Sequence, residues 1–472
     1  MQVPRLMIAA PQGRSGKTTV AIGLCAALRQ MGLKVKPFKK GPDYIDPSWL
    51  TAAAGLSCGN LDPFMFDHSA LIKGFENAVS GADITVIEAS MGLYDSSCED
   101  GQGSSAWLAR RLQTPIILVV NCARMTRSTA AMVRGYQDFE PGTHIAGVIL
   151  NNVGNARHES TIVKALERHC GLPVLGALPC DERLSIRERH LGIVPLQEQA
   201  EAAAMIDRIS SIFKQHCDID RVLSIAREAD RLLRSARNDE VEAVIARSAA
   251  TKQSNTRVTI GVLADKTFTF YYPENLEALE QAGALLTYID SFKDDRLPEV
   301  DALYIGGGFP ELYAEELETN SGLRQGIKAG VESGLPVYAE CAGLMYLCNA
   351  IIKDGRAFRM CGVIKSDILI EKKPQGHGYV MAEVAGDNAF FGKGTLLRGH
   401  EFHHSRLVTT GGLKFAYQVN RGHGVDGHND GIVYKNVLAS YTHLHAWGVP
   451  DWAGRFVNLA AARQRASQKL TV

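Results

Sequence analysis

The sequence predicts two α/β domains joined by a charged linker. The chain has 472 residues, and a single hydrophobic core rarely grows beyond about 250–300 residues. Runs rich in Val and Ile alternate with helical patterns in the first part of the chain, and a second alternation starts at Val258. Such alternation favours parallel sheets with helices on both faces. We predict domains at residues 1–196 and 257–466, and a helical, charged linker with an insertion at 197–256.

Composition limits the partners that this chain can have. Lys plus Arg balance Asp plus Glu at 51 each, which argues against nucleic acid or an anionic membrane as a partner. No apolar run approaches the roughly 20 residues that span a bilayer, and the apolar N-terminal stretch is too short for a signal peptide. The ten cysteines form no C-x-x-C pair and predict reduced thiols rather than a zinc site. We therefore expect a cytoplasmic protein without a prosthetic group. A homodimer is compatible with this composition.

A phosphate-binding loop is predicted near the N-terminus. The strand RLMIAA runs into the turn PQGRSGKTT and then into a helix. Backbone N–H groups at such a turn wrap phosphates, the lysine neutralises charge, and the Thr18 hydroxyl can bind Mg²⁺. Pro11 replaces the first glycine of the usual pattern, and an ordinary turn is the alternative. The pattern predicts an ATP site made by Gly13, Ser15, Gly16, Lys17, Thr18 and Thr19.

Carboxylates follow two of the predicted strands in this domain. Asp43 and Asp46 lie in the Pro-bounded loop KGPDYIDP, and Glu88 ends the strand ITVIEA ahead of Asp95. The carboxyl ends of parallel strands meet at one edge of a sheet, where acids can coordinate the metal of Mg²⁺–ATP. Each acid alone could instead be a solvated loop carboxylate or a helix cap. Their common position beside a phosphate loop favours a magnesium site.

A nucleophilic thiol is predicted in the second domain. Cys341 lies between the apolar strand VYAE and a helical segment, where a sharp turn exposes a nucleophile and a helix N-terminus favours the thiolate. His443 is the best candidate base. Backbone N–H groups of Gly306–Gly308 and Ala342 are candidate oxyanion donors. A buried structural thiol is the alternative, and His445 is open between triad member, substrate contact and core histidine.

Histidines are concentrated in the segments GHGY and GHEFHHS of the same domain. Their spacing matches no common zinc pattern. We expect them to line or pack near the active site.

At this point the motifs resemble one family, the cobyrinate a,c-diamide synthases. The resemblance spans nearly the whole chain apart from about residues 223–256, and its motifs are GxSGKTT, KxGPDYIDP, IEAxMGLYD, NNVG, RHLGI, FxFYYPENLxxL, YIGGGFPELYAEEL, YAECAGLMYL, GHEFHHS and SYTHLH. The N-terminal half is similar to the dethiobiotin synthetase group of P-loop proteins. The C-terminal half is similar to class I glutamine amidotransferases of the cobyric acid synthase type, which implies a flavodoxin-like α/β domain.

The resemblance implies a reaction and a set of partners. Cys341, assisted by His443, would release ammonia from L-glutamine, and the ammonia would pass to the ATP site. There an acetate of a cobyrinate-type tetrapyrrole would become an acyl phosphate, and ammonia would displace the phosphate. By the same resemblance, Asp46 and Glu88 join Thr18 as Mg²⁺ ligands, while Asp43, Tyr44 and Asp95 serve substrate binding or activation.

Two departures and several alternatives accompany this resemblance. The segment His443-Leu444-His445 stands where related enzymes have His-x-Glu, so the residue that orients His443 is open. Trp49-Leu50 stands where family members often carry a histidine. Ni-sirohydrochlorin and hydrogenobyrinate a,c-diamide synthases perform the same chemistry on other macrocycles. A regulatory P-loop ATPase with a degenerate amidotransferase domain is the alternative from a different class.

Overall fold

The computed structural model describes residues 3–184, 186, 188–189, 192–196, 199, 201–237 and 257–470. Much of the predicted insertion, 238–256, lies outside the described residues, as do 197–198 and 200 of the linker and His190 and Leu191 of the RHLGI motif. The chain forms two compact units, Met1–Pro63 with His68–Ala246, and Phe64–Asp67 with Arg247–Val472. The domain boundaries drawn from the sequence stay predictions.

The first unit alternates strands and helices from its beginning. Its strands are β1 Arg5–Ala9, β2 Val35–Lys40, β3 Gly59–Leu61, β4 Ile84–Glu88, β5 Ile116–Asn121, β6 Ile145–Val153, β7 Val174–Pro179, β8 Glu188–Arg189 and β9 Gly192–Ile193. Its helices are α1 Lys17–Gln30, α2 Ile45–Ala54, α3 His68–Ala78, α4 Ser105–Arg111, α5 Ser128–Asp138, α6 Ala156–Cys170, α7 Ala202–His216 and α8 Ile219–Arg237, with a 3₁₀ turn at Glu182–Leu184.

Seven of these strands form one parallel sheet in the order β3-β2-β4-β1-β5-β6-β7. Every residue of β1 and β4 is buried, as expected for strands that are covered on both faces. Chain order reverses at β1, which lies between β4 and β5, and ligands bind at such switch points beyond the carboxyl ends of the strands. The register pairs Ile8 with Glu88, so the end of β4 lies beside the loop that follows β1.

The second unit contains shorter strands and fewer helices. Its strands are β10 Val258–Leu263, β11 Phe268–Phe270, β12 Ala284–Ile289, β13 Ala302–Ile305, β14 Gly307–Gly308, β15 Val337–Glu340, β16 Ala350–Lys353, β17 Arg356–Arg359, β18 Ile368–Ile370, β19 Gly376–Val384, β20 Leu396–His403, β21 Ser405–Leu407, β22 Lys414–Arg421, β23 Asn429–Tyr434 and β24 Val437–Ser440. Its helices are α9 Pro273–Gln281, α10 Ala314–Thr319, α11 Ser321–Glu332, α12 Ala342–Leu347 and α13 Trp452–Leu470, with a 3₁₀ turn at Pro310–Leu312.

The main sheet of the second unit has the order β12-β10-β13-β15-β24-β23-β22-β19-β20. Its first five strands are parallel and the remaining pairs are antiparallel. This confirms the prediction of a second α/β domain, and the structure adds antiparallel strands to its parallel core. Strands β15 and β24 are neighbours, and Glu340 pairs with Ser440 at their ends. The segment carrying Cys341 therefore begins beside the segment carrying His443.

None of the helices in the described part of the chain is long and apolar enough to cross a membrane.

Candidate active sites

The loop after β1 is held in shape by a neighbouring side chain. Gly16 has a φ of 92°, and a Cβ at that position would lie 2.2 Å from Nδ2 of Asn151. The same Asn151 amide donates to the carbonyl of Ser15 at 3.0 Å, and the Ser15 hydroxyl donates to the carbonyl of Gln12 at 2.9 Å. Only glycine fits this left-handed, crowded position. Asn151, within the NNVG motif, thus keeps the loop in its wrapped form.

Lys17 begins α1 and lies across the loop. Its ammonium donates to the carbonyl of Met91 at 2.7 Å and to that of Gln12 at 3.2 Å. Burial, and next the positive charge of Lys39, lowers the pKa of Lys17 to about 8. A cation that is held by carbonyl oxygens in a desolvated place is suited to receive a phosphate anion.

The other predicted loop residues differ in what they contact. Gly13 is exposed, and a Cβ there would meet nothing within 4 Å. The hydroxyl of Thr19 lies 3.5 Å from the carbonyl of Leu184, to which it donates.

Thr18 and the two acids predicted to bind Mg²⁺ lie together. The Thr18 hydroxyl donates to Oε1 of Glu88 at 2.6 Å and lies 3.4 Å from Oδ2 of Asp46. Glu88 is fully buried, its second oxygen has no hydrogen-bond partner among the described residues, and burial raises its pKa. Three hard oxygen ligands with an unused buried oxygen fit a small cation such as Mg²⁺, whose other positions phosphates and water would fill.

Lys39 of β2, which the sequence did not single out, joins this group. Its ammonium lies 2.5 Å from Oδ2 of Asp46, 2.9 Å from Oε1 of Glu88 and 4.0 Å from Oδ2 of Asp43. Burial by itself would lower the pKa of Lys39, but the charges of Asp46 and Glu88 outweigh burial and raise it. Lys39 is therefore a charged, buried counter-ion for the carboxylates.

Asp43, Tyr44 and Asp95, predicted for substrate or activation, have local contacts. Oδ1 of Asp43 accepts from the backbone N–H groups of Ile45 at 2.8 Å and Asp46 at 3.2 Å, at the start of α2. Tyr44 is the half-buried residue just before that helix. Oδ2 of Asp95 accepts from the Gly92 N–H at 2.7 Å. A role for these residues toward substrate stays a prediction.

Cys341 occupies a strained turn between β15 and α12. Its φ is 48° and its ψ is −96°, and it is 4% exposed. A non-glycine residue in such a conformation is unusual and is often found at functional sites. Its N–H donates to the carbonyl of Ser440 at 2.7 Å, which fixes the turn against the end of β24.

The resting state of this thiol differs from our expectation. We expected the helix N-terminus to favour the thiolate, but burial, and next the charge of Glu311, raises the pKa of Cys341. Helix α12 has only six residues, so its dipole is small. The Cys341 sulfur therefore rests as a thiol and needs a base.

The glycine loop differs in part from the prediction. The Gly306 N–H donates to the hydroxyl of Tyr271 at 2.7 Å, so it already has a hydrogen-bond partner, which speaks against the prediction of Gly306 as an oxyanion donor. Gly307 lies against His443, since a Cβ there would be 2.5 Å from Cε1 of the imidazole. Gly308 pairs with Phe268 in a short antiparallel ladder. The Ala342 N–H is hydrogen-bonded to the thiol. The roles of Gly307, Gly308 and Ala342 as oxyanion donors stay predictions.

His443 lies three residues beyond the end of β24. Its Nδ1 is 3.6 Å from Oε2 of Glu340, and its ring stacks on His400 with centroids 4.9 Å apart. His400 and His443 also exchange backbone hydrogen bonds at 2.8 and 3.2 Å. Burial, and next the charge of His443, lowers the pKa of His400 well below its usual range, so His400 is neutral. The carbonyl of Phe402, which lies on β20 together with His400, is 4.0 Å from the Cys341 sulfur.

His445 packs away from His443. Its Nδ1 accepts the Trp447 N–H at 3.1 Å, and its Nε2 lies 3.3 Å from Oε2 of Glu274. The rings of Phe66, Tyr272 and Trp447 lie about it at centroid distances of 4.7, 4.7 and 5.2 Å. Of the three interpretations left open by the sequence, these contacts favour a core histidine.

Asp430 is a second residue that the sequence did not single out. Its buried carboxylate accepts from the backbone N–H groups of Tyr441 and Thr442 at 3.0 and 2.9 Å, and from the Thr442 hydroxyl at 2.7 Å. These bonds hold the turn that leads into His443. A carboxylate within a strand, in the segment HNDGIVY, was the available signal.

The histidine-rich segments contain no metal centre in the part of the chain that is described. No group of three or more His, Cys, Asp or Glu side chains there is arranged to hold a metal ion. His403 instead stacks on Tyr441 at a centroid distance of 3.6 Å, and its Nδ1 contacts the carbonyl of Ser405 at 2.8 Å.

Two family models match this chain. Residues 6–193 match the CobQ/CobB/MinD/ParA nucleotide binding domain, and residues 259–450 match the CobB/CobQ-like glutamine amidotransferase domain. A nucleotide-binding domain of this kind implies the use of ATP. Together with the geometry above, the two domains define a glutamine-dependent amidating ligase.

Similar proteins share nearly the whole length of the chain. A cobyrinate a,c-diamide synthase of Magnetococcus marinus is 43% identical over 96% of this chain and 96% of its own length. One from Archaeoglobus fulgidus is 40% identical over 98% of this chain and 99% of its own. One from Methanosarcina acetivorans is 38% identical over 99% and 97%. The chain belongs to the cobyrinate a,c-diamide synthase family.

Proposed function

We propose that this protein amidates the a and c acetate side chains of cobyrinate, using ATP and the amide nitrogen of glutamine. The observation that carries the proposal is the strained turn of Cys341, with a φ of 48°, at the strand end beside the segment leading to His443. Full-length similarity to cobyrinate a,c-diamide synthases supports the choice of acceptor.

The glutaminase half begins with a protonated nucleophile. His443 takes the proton of the Cys341 thiol, and the sulfur attacks the side-chain carbonyl carbon of glutamine. Backbone N–H groups of Gly307 and Ala342, which lie beside His443 and the thiol, would stabilise the negative charge that develops on the oxygen. The proton on His443 passes to the leaving nitrogen, and ammonia departs. Water then hydrolyses the glutamyl thioester to glutamate and the free thiol.

The ligase half makes a poor electrophile reactive. An acetate oxygen attacks the γ-phosphorus of ATP, giving an acyl phosphate and ADP, and ammonia then displaces phosphate to form the amide. Lys17, held by the carbonyls of Gln12 and Met91, binds phosphate oxygens. Thr18, Asp46 and Glu88 would hold Mg²⁺, which spreads the charge of the transferring phosphoryl group when it is bound.

The acceptor is tested by offering three macrocycles to the enzyme with ATP and glutamine. The candidates are cobyrinate, hydrogenobyrinate and Ni-sirohydrochlorin, and product masses report how many amides each gains. We expect two amides on cobyrinate, at the highest kcat/KM. A higher kcat/KM for either other macrocycle would assign that acceptor instead. If no macrocycle is amidated and no glutamate is released, a nucleotide-dependent regulatory protein becomes the better description.

A further inference from the structure

The end of β15 carries a charged residue in an otherwise apolar, fully buried strand. Glu340 is 1% exposed and lies immediately before Cys341. Burying a carboxylate costs several kcal/mol unless hydrogen bonds or a counter-charge compensate. Packing alone therefore does not explain why a carboxylate is buried one position before the nucleophile.

The surroundings of Glu340 are built to hold a carboxylate. Its Oε1 accepts from the hydroxyl of Tyr338 at 3.2 Å and from the backbone N–H of Leu444 at 3.1 Å, and its Oε2 accepts from the hydroxyl of Tyr304 at 3.1 Å. Burial, and next the charge of Glu340, raises the pKa of both tyrosines well above the usual value. Both hydroxyls therefore stay protonated and act as donors, which fixes Glu340 as the acceptor.

The imidazole of His443 also lies next to this carboxylate. Oε2 of Glu340 lies 3.6 Å from Nδ1, while the Cε1–Nε2 side of the ring faces Gly307. The bond from Leu444, the next residue, ties Glu340 to the same loop. A carboxylate at Nδ1 favours the tautomer with the proton on that nitrogen, in which Nε2 carries the lone pair that accepts a proton.

We propose that Glu340 is the positioning residue for His443, supplied by the residue before the nucleophile rather than by the histidine loop. Glu340 fixes the ring orientation and tautomer of His443, and it stabilises the imidazolium that forms when the Cys341 proton is taken up. The proton moves from sulfur to Nε2 and then to the departing nitrogen, while the proton on Nδ1 stays. This inference rests on the proposed glutaminase function of Cys341.

His445 does not compete for this role. Its Nδ1 is occupied by the Trp447 N–H, and its Nε2 faces Glu274. The Glu274–His445 pair is a second buried carboxylate–imidazole contact, between α9 and the loop that carries His443, and it provides a matched control. Glu274 is 4% exposed, similar to Glu340.

The test compares glutamine and ammonium as nitrogen donors for amidation, because ammonium bypasses the thiol. For Glu340→Gln, we expect glutamine-dependent kcat to fall about 10²- to 10⁴-fold, by analogy with loss of the orienting carboxylate in a triad. The KM for glutamine should stay near the wild-type value. The amidation activity with ammonium as nitrogen donor should also stay near the wild-type value. Glu340→Asp keeps the charge at a longer distance and should recover part of kcat. Glu274→Gln should leave the ratio of the two activities unchanged.

The outcomes separate the inference from the function on which it rests. A wild-type protein that releases no glutamate would overturn the proposed function itself. An active wild type with an unchanged donor ratio in Glu340→Gln would overturn only the role of Glu340. Parallel loss of both activities in Glu340→Gln would identify a structural residue and would also overturn the inference. If Glu340→Gln and Glu274→Gln lowered the ratio of glutamine-dependent to ammonium-dependent activity equally, the inference would also be overturned.

Discussion

Lys39 offers a direct test of the charge balance at the nucleotide site. Its ammonium, 5% exposed, lies 2.5 Å from Asp46 and 2.9 Å from the fully buried Glu88. In Lys39→Met, two carboxylates lose their counter-ion while a side chain of similar length keeps the space filled. Removing one partner of a buried ion pair typically costs about 3–5 kcal/mol. In a domain of this size, that loss lowers the melting temperature by about 6–20 °C.

Calorimetry without nucleotide or Mg²⁺ measures this effect. The transition that ATP shifts upward in the wild type identifies the first unit, because a ligand stabilises the domain that binds it. Lys36→Met is the matched control on the same strand, since the buried Lys36 ammonium donates to the backbone carbonyl of Ser57 at 2.8 Å. We expect a clearly larger loss for Lys39→Met. Equal melting temperatures for the two variants would refute the assignment of Lys39 as the counter-ion.

Three further predictions address the two sites. Cys341→Ala should abolish glutamate release while amidation with ammonium continues; an equal loss of both would contradict a division of labour between two sites. Glu88→Gln should abolish amidation with either nitrogen donor, because the Thr18 site loses a carboxylate; retained ammonium-dependent turnover would remove Glu88 from the site. Gly16→Ala should weaken ATP binding, since its Cβ would lie 2.2 Å from Asn151 Nδ2, whereas Gly135→Ala, on α5 outside the phosphate loop, meets open space. Equal ATP dissociation constants for these two glycine variants, measured by calorimetric titration, would contradict the crowding.

The sequence predicted elements whose signal is local. A buried strand that ends in a glycine–lysine–threonine turn specified β1, the loop and α1, and the ends of parallel strands brought Glu88 to Thr18. The same reasoning placed Cys341 at a strand end, and the structure sets that strand beside the one leading to His443. Hydrophobic periodicity and the positions of glycine and proline specify these features, so the spacing of residues along the chain was sufficient to predict them.

The features missed depend on contacts between distant residues. Lys39 and Glu88 are neighbours because β2 pairs with β4, and Glu340 meets His443 because β15 pairs with β24. Likewise, the use of the Gly306 N–H by Tyr271 requires the β11–β14 ladder. Lys39 and Glu340 were visible as charged residues near strand ends, but their partners were not. For charged residues in buried strands, the partner side chain is therefore known only once the structure shows which strands pair.

In the proposed reaction, one chain takes nitrogen from glutamine and transfers it to the carboxylates of a corrin. The decisive experiment incubates the protein with ATP, cobyrinate and glutamine labelled with ¹⁵N in its side-chain amide. Mass spectrometry should find two amide groups on the product, both carrying ¹⁵N in the absence of added ammonium. Unmodified cobyrinate, or amides without the label, would contradict the proposed reaction.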